Sequence, residues 1–127
     1  MHLLIFLDAA AKPVTPAQID TIVCAELPDS DTEPHLYNII SKAMIHRPCG
    51  VHGNQNAVCI DRGKCTKGFH KPFSEETVMT ADGCPTYHCH NTGIHEIHAG
   101  GQVHSIDNCW VVPYTVIAIS VATMNAI

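Results

Sequence analysis

His46, Cys49, Cys59 and Cys65 follow one another as H-x2-C-x9-C-x5-C inside HRPCGVHGNQNAVCIDRGKCTKGFHK, residues 46–71. Thiolates and a neutral imidazole are the donors that zinc takes in a closed, four-coordinate structural site. The His-Cys interval has finger-type spacing, whereas the last two cysteines stand wider than the usual interval of about two to four residues. His52 and His70, in the same stretch, are alternative donors for any of the four. The stretch is rich in Gly, Asn and Lys and has no apolar periodicity, so it cannot bury a core of its own. A bound ion would supply that order, because metal-binding free energy then becomes folding free energy. The expected cofactor is a structural Zn2+ held by His46, Cys49, Cys59 and Cys65.

The same residues carry a second chemical signal. Five of the seven basic side chains of the protein (Arg47, Arg62, Lys64, Lys67, Lys71) fall here beside a single acid, Asp61. The stretch is therefore at +4, while the remaining residues sum to −9. A basic, metal-ordered loop on an acidic chain suits a phosphate backbone. Arg62, Lys64, Lys67 and Lys71 are the expected DNA-binding residues. The net charge of −5 argues against nonspecific DNA coating by the whole chain.

Other groupings carry less. Cys84-x4-Cys89, with His88 and His90, resembles a second metal cluster. On an extended segment, however, His88 and His90 point one way and Cys89 the other, which divides the set. Cross-strand surface histidines are the expected outcome. Glu75 and Glu76 are consecutive and point apart, and Asp8 reads as a turn residue. No Gly-rich loop with Lys-Ser or Lys-Thr is present, so no ATP site is expected. Seven cysteines, an odd number, without a secretory signal favour metal ligation over a disulfide framework. The opening run Leu3 to Leu7 is too short for a membrane span. Both chain ends read as cut, so a piece of a longer protein is expected.

The elements that must position these groups read as α+β in one domain: a small antiparallel sheet, two helices and a metal-ordered Cys/His loop at 46–72. Residues 3–7 form an apolar strand. Thr15 is an N-cap and Pro16 an N1 residue for a first helix whose stripe is Ile19, Ile22 and Val23, ended by Pro28. A second helix spans about His35 to Met44, with Leu36, Ile39, Ile40 and Ala43 on one face. Pro48 and Gly50 stop it. Alternation over 77–79, 86–90 and 94–98, with ADG, NTG and AGG between and after, predicts a meander. Trp110 to Tyr114 and Val116 to Val121 complete it as strand or buried segment; if exposed, the last run is an aggregation hazard.

Taken in order, HLLIFL, TPAQIDTIVCAELPD, MIHRPCGVHGNQNAVCIDRGKCTKGFHKPFSEET, DGCPTYHCHNTG and DNCWVVPY resemble the Helitron helicase-like region. That region is the N-terminal part of a eukaryotic rolling-circle transposase that also carries a helicase, and the resemblance covers nearly the whole chain. It implies a nuclease-type domain built on a His-hydrophobic-His strand motif, which holds Mg2+ or Mn2+ for nicking DNA. His2 would be the second histidine of that motif and Met1 its hydrophobic neighbour, the first histidine preceding this chain. The nucleophilic tyrosines of the family would follow its end, and Tyr37, Tyr87 and Tyr114 match other positions. Single-stranded DNA, a helicase domain in cis and a nuclear location are implied in the same way.

Departures from the pattern matter. A GYPxYRRR-like stretch stands here as GCPTYHCH, a DNRWVVPYN-like stretch as DNCWVVPYT, and a terminal LKYNCHINVEI-like stretch as ISVATMNAI. Several arginines have thus become His or Cys, each one transition away at CpG-containing codons. Cys84, Cys89 and Cys109 fall at non-ligand positions, whereas His46, Cys49, Cys59 and Cys65 fall at the family's own His and Cys positions. With half of its cation motif and no nucleophile, this chain is expected to bind DNA rather than cut it.

Overall fold

A computed structural model describes residues 15–81, 83 and 85–115. The strand expected at 3–7, Met1, His2, Asp8, Cys84 and the run Val116 to Val121 lie outside the described residues. Two helices and several two-stranded antiparallel sheets make a small α+β unit.

The first helix, α1 (Pro16–Asp20), starts as its sequence dictates. The Thr15 hydroxyl accepts from the Gln18 backbone N–H, and the Gln18 side chain accepts from the Thr15 N–H, closing a capping box ahead of Pro16. It ends sooner than expected. Ile22 and Val23 leave the helix, and Val23–Cys24 form strand β1 instead. Thr21, Ile22 and Val23 are consecutive β-branched residues, which lose rotamer freedom in a helix and suit a strand. The Thr21 hydroxyl also donates to the Gln18 carbonyl at 2.6 Å, occupying an acceptor of the last turn. The partner of β1 is the far-off strand β8 (Tyr114–Thr115), with Val23 opposite Thr115 and Cys24 opposite Tyr114.

The second helix, α2 (Pro34–Ala43), lies where its periodicity predicts. Ile40 is fully buried against Val111 and Tyr114, with Leu36 partly buried at the same contact. Ala43, expected on that face, is exposed. Beyond the helix the chain runs antiparallel to 110–112: Ile45 pairs with Val111, the His46 N–H donates to the Trp110 carbonyl, and the Val112 N–H to that of Met44.

The Cys/His loop then departs and holds β2 (Ile60–Asp61) and β3 (Lys64–Cys65). These form a hairpin around Arg62 and Gly63, both at positive φ (53° and 78°), as a tight two-residue turn demands. At the loop's end the Lys71 N–H donates to the Cys109 carbonyl. The loop therefore leaves the core at Trp110 and returns beside it.

The expected single meander divides. Strand β4 (Val78–Met79) pairs with β5 (Pro85–Thr86), and β6 (His95–Ala99) pairs with β7 (Gln102–Ile106) across Gly100-Gly101. Residues 94–98 thus find their neighbour downstream, in a strand the sequence reading omits. The break has a cause at His90. Its N–H donates to a Glu26 carboxylate oxygen and its carbonyl accepts from the Asn108 amide, so side chains occupy positions a neighbouring strand would need.

Two buried groups form the core. Cys49, Ile97, Ile106 and Trp110 make one, and Ile40, Val111 and Tyr114 the other; Leu27 and Ile45 pack against both. Among the described residues no helix is long and apolar enough to cross a membrane.

Candidate metal centre

Four separate pieces of backbone bring the ligands together. His46 lies on the short ladder after α2, Cys49 precedes the 3-10 turn Gly50–His52, Cys59 immediately precedes β2, and Cys65 is the second residue of β3. The sulfurs of Cys49, Cys59 and Cys65 each stand 3.5 Å from Nε2 of His46. Bonds of about 2.3 Å to sulfur and about 2.0–2.1 Å to nitrogen, at a tetrahedral angle, separate S from N by about 3.5–3.6 Å. The four donor atoms lie within 4.8 Å of one another, so this His/Cys cluster can hold a metal ion.

Packing holds the imidazole in place. The His46 ring stacks on Phe69 at 4.4 Å and 8°, and is nearly parallel to Trp110 at 6.2 Å. His52 and His70, the alternative donors, are elsewhere. Their rings meet at 4.5 Å and rest beside Trp110 at 5.7 and 5.5 Å.

Electrostatics suit a cation. Burial first, then the charges of Lys67 and Lys71, hold the His46 pKa below 6.5, so its ring is neutral and ready to ligate at neutral pH. Burial and the neighbouring Cys59 and Cys65 push the Cys49 thiol up to about 12. Burial, the largest single influence, acts to raise Cys65, but the backbone amides of Phe69 and Lys67 together with the Cys49 and Cys59 side chains leave that thiol lowered. The Cys65 thiolate is thus favoured, and ionising Cys49 beside it needs a positive charge among them. A divalent ion supplies that charge.

The basic residues decorate this loop. Arg62 is at the exposed tip of the β2–β3 hairpin, with Lys64 and Lys67 exposed on the same loop. Lys71 is half-buried, its ammonium 5.0 Å from the centre of the Phe69 ring. Arg47 lies over the β6–β7 turn, its guanidinium 2.8 Å from where a side-chain carbon on Gly100 would stand.

A second gathering of donors includes one residue the sequence reading missed, Glu26. Cys89 is buried, and its backbone pairs with Ser74, while the His88 and His90 rings lie 5.5 Å apart. Alternation therefore separates the cysteine from the histidines, as expected. The histidines nonetheless share a partner, Glu26. Glu26 hydrogen bonding first, and its charge second, hold the His90 pKa above 6.5. Glu26 lies in the CAELPD stretch, 62 residues before His88, and no local pattern links them.

Comparison of the chain with protein-family models gives no match, and comparison with curated proteins gives none either.

Proposed function

We infer that the protein is a zinc-stabilised module that binds single-stranded DNA, a portion of a Helitron-type transposase whose intact form nicks and joins DNA during rolling-circle transposition. The observation that carries this reading is the set of three thiols, each 3.5 Å from one imidazole nitrogen, inside the loop that also bears Arg62, Lys64 and Lys67 in solvent. Zinc is the ion of choice because three soft thiolates and one imidazole around a small tetrahedral space select it over hard cations. The ordered motifs of the Helitron helicase-like region supply the nuclease-type domain, the helicase in cis and the nuclear location. The Mg2+ or Mn2+ chemistry of that family belongs to the His-hydrophobic-His motif, whose His2 lies outside the described residues.

Binding to a labelled oligodeoxynucleotide over a salt series tests this reading. If Arg62, Lys64, Lys67 and Lys71 each neutralise one phosphate, log affinity falls against log salt with a slope of about −3. Lys64→Glu and Lys67→Glu each weaken binding and flatten that slope by about 0.7, with zinc content unchanged. A salt-insensitive slope, or full affinity in both variants, removes DNA from the assignment. The second reading is then a zinc module for a protein partner. Val51 and Val58, 86% and 104% exposed on the same loop, favour it as apolar contacts.

A further inference from the structure

Glu26, His88 and His90 converge more closely than their separation in the chain requires. Nδ1 of His88 lies 2.8 Å from one Glu26 oxygen, and Nδ1 of His90 lies 3.1 Å from both. Donor atoms sharing one ion at about 2.0–2.2 Å stand about 3.0–3.4 Å apart. A hydrogen bond has a similar length, so distance alone does not distinguish the two.

The other nitrogen of His90 narrows the choice. Its Nε2 is 3.1 Å from the Glu75 carbonyl oxygen, which only accepts, so Nε2 carries the hydrogen. The Nδ1 of a neutral His90 then turns a bare lone pair toward a carboxylate. Two lone pairs at that distance need a cation between them, either a proton or a metal ion.

The surroundings have the donors and the charge to hold a divalent ion. Asp20, Glu75, Glu76, Thr77, His88 and His90 line an adjoining cleft, and among its described lining residues there is no Lys or Arg. Asp20 stands 3.8 Å from the outer nitrogen of His88, beyond hydrogen-bond distance, and adds negative charge behind that imidazole. The donors are also held in place. Glu26 accepts from the Asn108 amide and the His90 N–H, and the Thr77 hydroxyl, itself donating to Asp20, accepts from the His88 N–H. His90 is about half exposed, which leaves room for water on the ion.

We propose that Glu26, His88 and His90 form a second metal site, a two-histidine, one-carboxylate set with open positions toward the cleft. It takes a borderline divalent ion of the first transition row, the class suited to mixed imidazole and carboxylate donors. This site shares no residue with the Cys/His centre and stands independently of DNA binding.

Co2+ titrated into the zinc-loaded full chain is the test. One additional cobalt per chain is expected, with weak visible bands and without the near-ultraviolet thiolate-to-cobalt band. That band reports entry into the cysteine centre, so the two sites are read separately even if the zinc assignment fails. Glu26→Gln and His90→Arg each weaken cobalt binding by at least about 10–100-fold, the loss that follows even removal of an outer partner of a ligand. His90→Arg guards against misfolding, since arginine keeps a cation beside Glu26 but does not ligate, and retained zinc content confirms the fold. No cobalt beyond the thiolate centre, or unchanged affinity in a folded His90→Arg chain, overturns the proposal and leaves a proton in that place.

Discussion

Cys59→Ser is expected to abolish zinc binding and unfold the loop at 46–72, to be read as loss of one zinc per chain by mass spectrometry and collapse of amide dispersion for these residues. The loop has little else to hold it. Its own regular structure is one 3-10 turn and a hairpin of two-residue strands, and its apolar contribution is Cys49 with partly buried Ala57, Cys59, Ile60, Cys65 and Phe69 against Ile97, Ile106 and Trp110. A structural zinc supplies an apparent binding free energy of about 10–16 kcal/mol at neutral pH. A chelator should act as the substitution does. Acid should too, because protons compete for the ligands. Burial, with Cys59 and Cys65 beside it, pushes the metal-free Cys49 thiol up to about 12, so a proton competes strongly with the ion there. Stability of the loop therefore rises with pH. Cys89→Ser, at a buried cysteine outside the cluster, should keep its zinc. A zinc-free Cys59→Ser chain with an intact loop would sink the assignment.

Asn108→Leu is expected to destabilise the whole unit by about 2–6 kcal/mol in urea unfolding while the chain retains zinc. Asn108 is 1% exposed and joins three segments. Its carbonyl accepts from the Leu27 N–H at 2.9 Å, and its amide donates to the His90 carbonyl at 2.9 Å, to Thr92 at 3.2 Å and to Glu26 at 3.3 Å. Leucine fills the volume but leaves at least the Leu27 N–H and the His90 carbonyl without those partners, at about 1–3 kcal/mol each. Asn108→Asp restores the acceptor for Leu27 and sets a second carboxylate against Glu26, so it should not rescue. A change below about 0.5 kcal/mol, the range of an ordinary surface substitution, would remove Asn108 from this role.

These two sites differ in how much of them the sequence discloses. His46, Cys49, Cys59 and Cys65 are legible because thiols and imidazole are rare donors crowded into an aperiodic stretch, and the chemistry demands that they meet. The start of α1 and the extent of α2 are legible for a local reason: a capping box and a periodicity of 3.6 lie within a few residues. Where α1 stops is only half legible: the β-branched run Thr21-Ile22-Val23 disfavours helix, but the partner that makes it strand is distant. Val23 and Cys24 become strand because Tyr114 and Thr115 lie beside them, about ninety residues downstream, and nothing within a helical window announces that partner. The Glu26 cluster fails to show for the same reason. Its members are ordinary residues in their own segments and acquire meaning only when Asn108 and the 88–90 segment arrive against Glu26. The meander expected over 77–98 is an error of the same kind, since alternation predicts strands and leaves their partners open.

The loop's two anchors carry a last consequence. His46 and Lys71 are tied to Trp110 and Cys109, adjacent residues, so twenty-six residues of chain set out and come home at a single doorstep. Such an excursion can grow, shrink or be exchanged for another without re-threading the backbone on either side. Its borders already touch, so its loss would leave the path of the host backbone unbroken while removing Cys49 from the core and uncovering Ile97, Ile106 and Trp110.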